Sequence, residues 1–188
     1  MRVVLAMCFA SLAVASAAAQ SAEEAVAYIL HGKEATQIPG VTTRKLSSSP
    51  AVFETKSSLS VTRLTVSTAD KCRFRVIEES KLAKEPEMGT TILDFDFSSA
   101  VPPVRTITYT GSGVRQLLVQ VAGLKLTGCS SKMAMPGAPA NSQMERQMEK
   151  IACDLIRKGT PVTDDYSAER ASTALTRLKA NYCKEKAS

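Results

Sequence analysis

The chain of 188 residues has no tryptophan and one histidine, and aromatic residues make up only 5% of it. Binding sites that stack sugars or single-stranded nucleic acids are built from aromatic side chains, so both kinds of site are disfavoured. A single histidine, His31, also removes most schemes with imidazole bases or metal ligands. We expect no catalytic role for His31, because it lies at a predicted helix C-terminus, where the helix dipole favours it.

The motifs of common catalytic and cofactor sites are missing as well. The sequence has no G-x-S-x-G turn, no glycine-rich phosphate loop and no zinc-type spacing of cysteine and histidine. Asp94 and Asp96 lie two residues apart on one predicted strand face, and Asp164 and Asp165 are adjacent at a predicted helix start. Neither pair resembles an acid and base that flank a scissile bond. The sequence therefore predicts no cofactor and favours a non-enzymatic role.

Long apolar runs are missing except at the N-terminus. There Arg2 precedes an apolar segment over residues 3–14, followed by small residues at Ala17 and Ala19. A charged start, an apolar core and an A-x-A site are typical of a secretory signal peptide, and the core is shorter than the roughly 20 residues of a membrane-spanning helix. The sequence predicts a cleaved signal peptide over residues 1–19, no transmembrane segment, and an exported protein that is periplasmic or secreted.

Export changes the cysteine count. Cleavage after residue 19 removes Cys8 from the five cysteines and leaves Cys72, Cys129, Cys153 and Cys183. An even set of four in an exported chain predicts two structural disulfides, and none of the four lies in a C-x-x-C pair.

Pairing by neighbourhood gives Cys72 with Cys129 and Cys153 with Cys183. The second bridge requires residues 159–165 to run extended, so that the last helix returns beside the one before it. Otherwise each of the two C-terminal helices is tied to the sheet, through Cys72 or Cys129. The sequential pairing is our prediction, and the alternative stays open.

The net charge of +6 is modest for a nucleic-acid-binding protein. Lysine and arginine dominate residues 41–75, and aspartate and glutamate dominate residues 76–100. Adjacent blocks of opposite sign indicate pairing across a sheet. We expect no nucleic-acid partner. The expected partner is an unidentified protein or small ligand, with weak contact to an anionic surface as an alternative.

The pattern of apolar residues predicts an α+β fold. Ser21 and Glu24 have the spacing of a capping box, so a short amphipathic helix with one buried stripe is expected to begin there and to end at His31 and Gly32. From Val41 to Cys129 the apolar period is two, which predicts an antiparallel sheet of five to seven strands. The predicted strands are Val52 to Lys56, Leu59 to Val66, Cys72 to Ile77, Thr91 to Ser98, Val104 to Tyr109, Val114 to Val121 and Leu124 to Thr127.

Two of these strands carry complementary charges on their polar faces. Arg73 and Arg75 alternate with apolar residues in the strand from Cys72 to Ile77. Asp94 and Asp96 do so in the strand from Thr91 to Ser98. If the strands are neighbours, these side chains meet on the solvent face, where each exposed pair contributes only about a few tenths of a kcal/mol.

Two C-terminal helices complete the expected fold, and both are expected to pack on the sheet. Met144, Met148, Ile151 and Leu155 form the apolar stripe of the first helix. The second has its stripe at residues 168–182 and Asp165 as its predicted cap. The chain thus divides into a signal peptide (1–19), a domain of one helix and antiparallel strands (20–130), a linker (131–142) and a two-helix segment (143–188).

Met133 and Met135, in the predicted linker, are the only weak candidates for metal ligands. Thioethers suit copper(I), but a helix stripe already explains the neighbouring methionines, so we predict no metal site. The sequence as a whole favours a non-enzymatic binding or accessory module of the bacterial periplasm or extracellular space. The alternatives are a small hydrolase with an unrecognised site and an envelope-surface interaction protein.

Overall fold

The computed structural model describes residues 20–82, 88–111, 114–132 and 143–183. The predicted signal peptide, Met133, Met135 and most of the predicted linker lie outside these residues. The fold is α+β, as predicted. Its helices are α1 (Ala22–His31), α2 (Gln143–Lys158) and α3 (Ala168–Tyr182), and its strands are β1 (Thr36–Ile38), β2 (Val41–Ser48), β3 (Ala51–Ser57), β4 (Ser60–Asp70), β5 (Arg73–Leu82), β6 (Met88–Asp96), β7 (Val101–Gly111), β8 (Val114–Ala122), β9 (Lys125–Lys132) and β10 (Thr160–Val162).

The strands form two antiparallel sheets. The larger has seven strands in the order β1-β2-β3-β4-β5-β6-β9, which confirms the predicted antiparallel sheet. The smaller has three strands in the order β10-β8-β7. The strands predicted from Val104 to Tyr109 and from Val114 to Val121 are present as β7 and β8 and pair with each other, but alternating apolar residues do not reveal that they belong to a separate sheet.

Helix α1 lies at the centre of the fold. Its predicted capping box is confirmed: the Ser21 hydroxyl accepts a hydrogen bond from the Glu24 amide at 3.1 Å, and the Glu24 carboxylate accepts one from the Ser21 amide at 3.2 Å. The prediction of a single buried stripe is wrong, because residues 22–30 are all buried. Strands β3 and β4 contact α1, and so do α3 and β10.

Burial of the whole helix includes two acidic residues near its start. The Glu24 carboxylate contacts the Lys45 ammonium at 2.7 Å. Glu23 accepts hydrogen bonds from the hydroxyls of Thr68 at 2.7 Å and Ser49 at 3.3 Å. These partners offset the cost of removing carboxylates from water.

The predicted charge pairing between strands is confirmed. Strands β5 and β6 are neighbours, with Arg75 opposite Asp94 and Arg73 opposite Asp96. The Arg75 guanidinium contacts the Asp94 carboxylate at 2.8 Å, and the Arg73 contact with Asp96 is longer, at 3.8 Å. Both arginines are exposed, so these pairs favour the observed register more than they add stability.

The two C-terminal helices pack to different extents. Helix α3 buries Ala171, Ala174, Leu175 and Leu178, and it contacts α1 and β7. Its cap is Ser167, whose hydroxyl accepts a hydrogen bond from the Arg170 amide at 3.3 Å; the prediction of Asp165 was wrong by two residues.

Helix α2 contacts β9 and β10 through a different face from the one predicted. Cys153 is its only buried residue, and Ile156 packs partly against the core. Met144 and Ile151, from the predicted stripe, are 59% and 61% exposed. No helix in the described parts of the chain is long and apolar enough to cross a membrane.

The four cysteines form two disulfides, but the sequential pairing is wrong. The bridges join Cys72 to Cys183 and Cys129 to Cys153, with Cα–Cα distances of 5.0 and 5.9 Å. Strand β10 pairs with β8 and leads the chain away from α2, so that α3 packs on α1 and ends beside the β4–β5 turn. Each helix is therefore tied to the sheet, as in the alternative left open by the sequence.

Candidate functional site

A cavity of about 580 Å³ opens at the C-terminal end of α1. We call it the His31 cavity. Its walls come from the C-terminal end of α1, from β1, β2, β3, β5 and β8, and from β10 and the segment that follows it. Its polar lining includes His31, Lys33, Thr43, Thr55, Glu78 and Asp165.

The cavity is polar because the inner face of the large sheet changes character along its strands. In β5, Phe74 and Val76 are buried in the core, and Glu78 is the next residue on the same face. In β3, Phe53 is buried and Thr55 follows it on that face. Helix α1 ends at Gly32, which takes up the left-handed conformation (φ 62°). Beyond that point the helix no longer covers the sheet, so polar side chains line open space.

The imidazole of His31 is held in an unusual environment. Its Nε2 atom is buried and has no hydrogen-bond partner among the described residues. Burial lowers the pKa of His31, with a further lowering from the Lys33 charge and an opposing effect from Glu78. The side chain is therefore neutral at pH 7, since its ordinary pKa is 6.5.

Lys33 carries the positive charge of the cavity. Its ammonium donates a hydrogen bond to the Thr55 hydroxyl at 3.3 Å, and that hydroxyl lies 3.1 Å from the Thr43 hydroxyl. Within the described ranges, no carboxylate lies within 4.0 Å of the ammonium. Burial lowers the pKa of Lys33, and the charges of Glu78 and Asp165 act in the opposite direction.

Opposite charges thus line one cavity, and among the described residues Lys33 forms no contact ion pair with Glu78 or Asp165. Glu34, which also lines the cavity, contacts Arg170 at 2.6 Å. Lys33 supplies an ammonium, Glu78 and Asp165 supply carboxylates, and the threonine hydroxyls can donate or accept. Tyr166 is not available in the same way, because its hydroxyl donates to the Ile29 carbonyl at 2.7 Å. This arrangement can hold a small molecule that carries charges of both signs.

Comparison with models of known protein families gives no match. Curated proteins and solved structures give no match either. The fold and the cavity geometry therefore carry the functional argument.

The sequence-based candidates lie outside this cavity, apart from His31 and Asp165. Met133 and Met135 fall outside the described residues, and the four cysteines are paired in disulfides. The described parts of the chain contain no group of three or more histidine, cysteine, aspartate or glutamate residues placed to hold a metal ion.

Sequence reasoning missed Lys33 and Glu78. A signal for Glu78 was present, since it occupies the inward phase of a strand whose preceding inward residues are Phe74 and Val76. An acidic residue at such a position calls for a local partner or a ligand. Lys33 follows the helix-ending Gly32 and belongs to no periodic pattern, so no comparable signal marked it.

Proposed function

We propose that the protein is an exported, non-enzymatic binding module of the bacterial periplasm or extracellular space. We further propose that the His31 cavity binds a small zwitterion, such as a free amino acid or a short peptide. The observation that carries this proposal is the separation of Lys33 from Glu78 in a shared cavity. A zwitterion would place its carboxylate at Lys33 and its ammonium at Glu78.

The charge arrangement favours such a ligand over a simple anion. An anion alone would meet Lys33 but would also face Glu78 and Asp165, whereas a zwitterion satisfies groups of both signs. The hydroxyls of Thr43 and Thr55 add hydrogen-bonding capacity beside Lys33. A volume of about 580 Å³ lies within the range of roughly 300 to 1,000 Å³ that is typical of small-molecule sites.

The hydrolase alternative has less support from this site. A nucleophile needs a base within hydrogen-bond reach, and no described hydroxyl contacts the Nε2 atom of His31. The export part of the proposal rests on the sequence of residues 1–19, and two disulfides are compatible with it. N-terminal sequencing of protein from the cell exterior or periplasm should begin at Gln20. Recovery of the uncleaved chain in the cytoplasm would contradict export.

Calorimetric titration with free amino acids and dipeptides tests the ligand class. We expect saturable binding of at least one of them, and loss of binding when its amine is acetylated or its carboxylate is amidated. Replacement of Lys33 or Glu78 by glutamine should weaken binding by about tenfold or more, since a hydrogen bond to a charged group is lost.

Lys150→Gln provides the control, because Lys150 is an exposed cation on α2 that does not line the cavity. It should leave the affinity unchanged. If no free amino acid or dipeptide binds at millimolar concentration, the proposed ligand class is wrong.

A further inference from the structure

A second cavity of about 560 Å³ lies between the C-terminal end of α2 and strands β8 and β9. We call it the Arg105 groove. It shares no lining residue with the His31 cavity, so binding at one site can be tested without the other.

The floor of the groove is apolar and incompletely covered. It includes Phe95 and Val119, which are buried, and Leu124, Leu126 and Ile156, which are only partly buried. Apolar surface of this kind remains wet unless something covers it, and its removal from water is favourable.

Close approach of the chain to β8 forms one end of the groove. A Cβ atom on Gly159 would lie 2.5 Å from the Val119 carbonyl oxygen, so only glycine allows the backbone to pass here. Gln120 adds a hydrogen bond of 2.9 Å from its side-chain amide to the Lys158 carbonyl. The wall between α2 and β8 is therefore fixed by backbone contact.

The polar lining of the groove has one sign of charge. Arg105, Arg157 and Lys158 line it, and none of the lining residues that the structure describes is acidic. Arg157 contacts Asp154 at 2.7 Å, and the Lys158 ammonium lies 3.2 Å from the Tyr109 hydroxyl. Arg105 is exposed and forms no ion pair with any described residue. Unlike the Arg157 guanidinium, the Arg105 guanidinium has no acidic partner among the described residues and can meet an external anion.

We propose that the Arg105 groove binds a single-chain amphipathic anion, with an alkyl chain on the apolar floor and a carboxylate at Arg105. The combination of an apolar floor with cations and no acids matches both parts of such a molecule. Its volume of about 560 Å³ lies within the range of roughly 300 to 1,000 Å³ that is typical of small-molecule sites.

Titration of the disulfide-bonded protein with dodecanoate, below its micelle concentration, tests this proposal. We expect saturable binding with one dodecanoate per chain. Dodecyltrimethylammonium has the same chain with a cationic head, and acetate has the head without the chain; neither should bind with comparable affinity. Equal binding of dodecyltrimethylammonium would overturn the role of the cations.

Two substitutions test whether the carboxylate of dodecanoate binds at Arg105. Arg105→Gln should weaken dodecanoate binding by about tenfold, because it removes one charge-assisted hydrogen bond. The matched control is Arg115→Gln, at the other end of β8 and outside the groove, which should leave the affinity unchanged. An equal effect of the two variants would refute the assignment of the head group to Arg105.

Ala122→Trp tests the floor independently of charge. Ala122 is exposed, ends β8 and lines the groove, so a larger side chain there should fill the space and abolish binding. Circular dichroism and the unfolding midpoint should match those of the unmodified protein. Undiminished binding by this folded variant would overturn the proposal. So would binding to anionic phospholipid vesicles without binding to monomeric dodecanoate, since that result indicates a membrane surface.

Discussion

Removal of the two disulfides, one at a time, should affect the protein in different ways. The variants are Cys72→Ala with Cys183→Ala, and Cys129→Ala with Cys153→Ala. The first bridge joins residues 111 positions apart and the second joins residues 24 positions apart. The chain-entropy relation for cross-links gives stabilisations of about 4.8 and about 3.5 kcal/mol for loops of these lengths.

The packing of the two helices increases this difference. Helix α3 buries four residues against the core, whereas α2 buries only Cys153. Loss of the Cys72–Cys183 bridge frees the C-terminal end of α3, whose buried residues form part of the core. Loss of the bridge to Cys153 frees a helix with few other buried contacts, so that α2 can separate from β9 while the rest stays folded.

Unfolding in guanidinium chloride under non-reducing conditions, which keep the remaining bridge intact, measures the first effect, and hydrogen exchange measures the second. We expect the free energy of unfolding to fall further for the Cys72 and Cys183 variant, by about 1 kcal/mol or more relative to the other. We expect the Cys129 and Cys153 variant to lose amide protection in α2 and to keep it in α3. A reversed order of stability, or loss of protection in α3 instead of α2, would refute this reasoning.

Three further predictions concern charge and backbone contact. Burial acts to raise the pKa of Glu24, but hydrogen bonds with Lys45, Ser48 and Ser21 outweigh it and leave the pKa below 4.5. Glu24→Gln should therefore destabilise the protein above pH 4.5. The difference in unfolding midpoint between this variant and the unmodified protein should shrink as the pH falls further. Burial lowers the pKa of His31 below 6.5, so the unfolded chain takes up a proton at a higher pH than the folded chain does. The free energy of unfolding should therefore fall as the pH drops below 6.5, and His31→Gln should remove this loss. A variant whose stability depends on pH between about 7 and 5 as the unmodified protein's does would contradict this prediction. Gly159→Ala should cost about 1 to 3 kcal/mol in urea unfolding, since its Cβ meets the Val119 carbonyl, and a neutral result would show that the α2 terminus can shift.

The fold class and several local contacts were predictable because they depend on short-range pattern. Ser21 and Glu24 are three residues apart, and the pairing of Arg75 with Asp94 follows from alternation on two neighbouring strands. Periodicity does not report how the layers are stacked. For that reason it could not show that α1 is covered on all sides, or that Cys72 meets Cys183 across 111 positions.

The candidate site was less predictable, because it depends on where one element ends relative to another. The sequence places Glu78 on the inner face of its strand, because it follows Phe74 and Val76 at a spacing of two. That it lines a cavity depends on the end of α1 at Gly32, which leaves that part of the sheet uncovered. The approach of Lys33 to Thr55 joins residues 22 positions apart and follows no local rule.

The central position of α1 has a consequence for the order in which the chain folds. Its apolar sides are covered by β3 and β4 and by α3, which lies more than a hundred residues further along the chain. A chain is produced from its N-terminus, so one side of α1 lacks its cover until α3 is available. During that interval Tyr28, which packs against Tyr166 and Arg170 in the folded protein, is left uncovered. We expect α1 to be the segment that a holding chaperone binds, and docking of α3 to be the step that releases it.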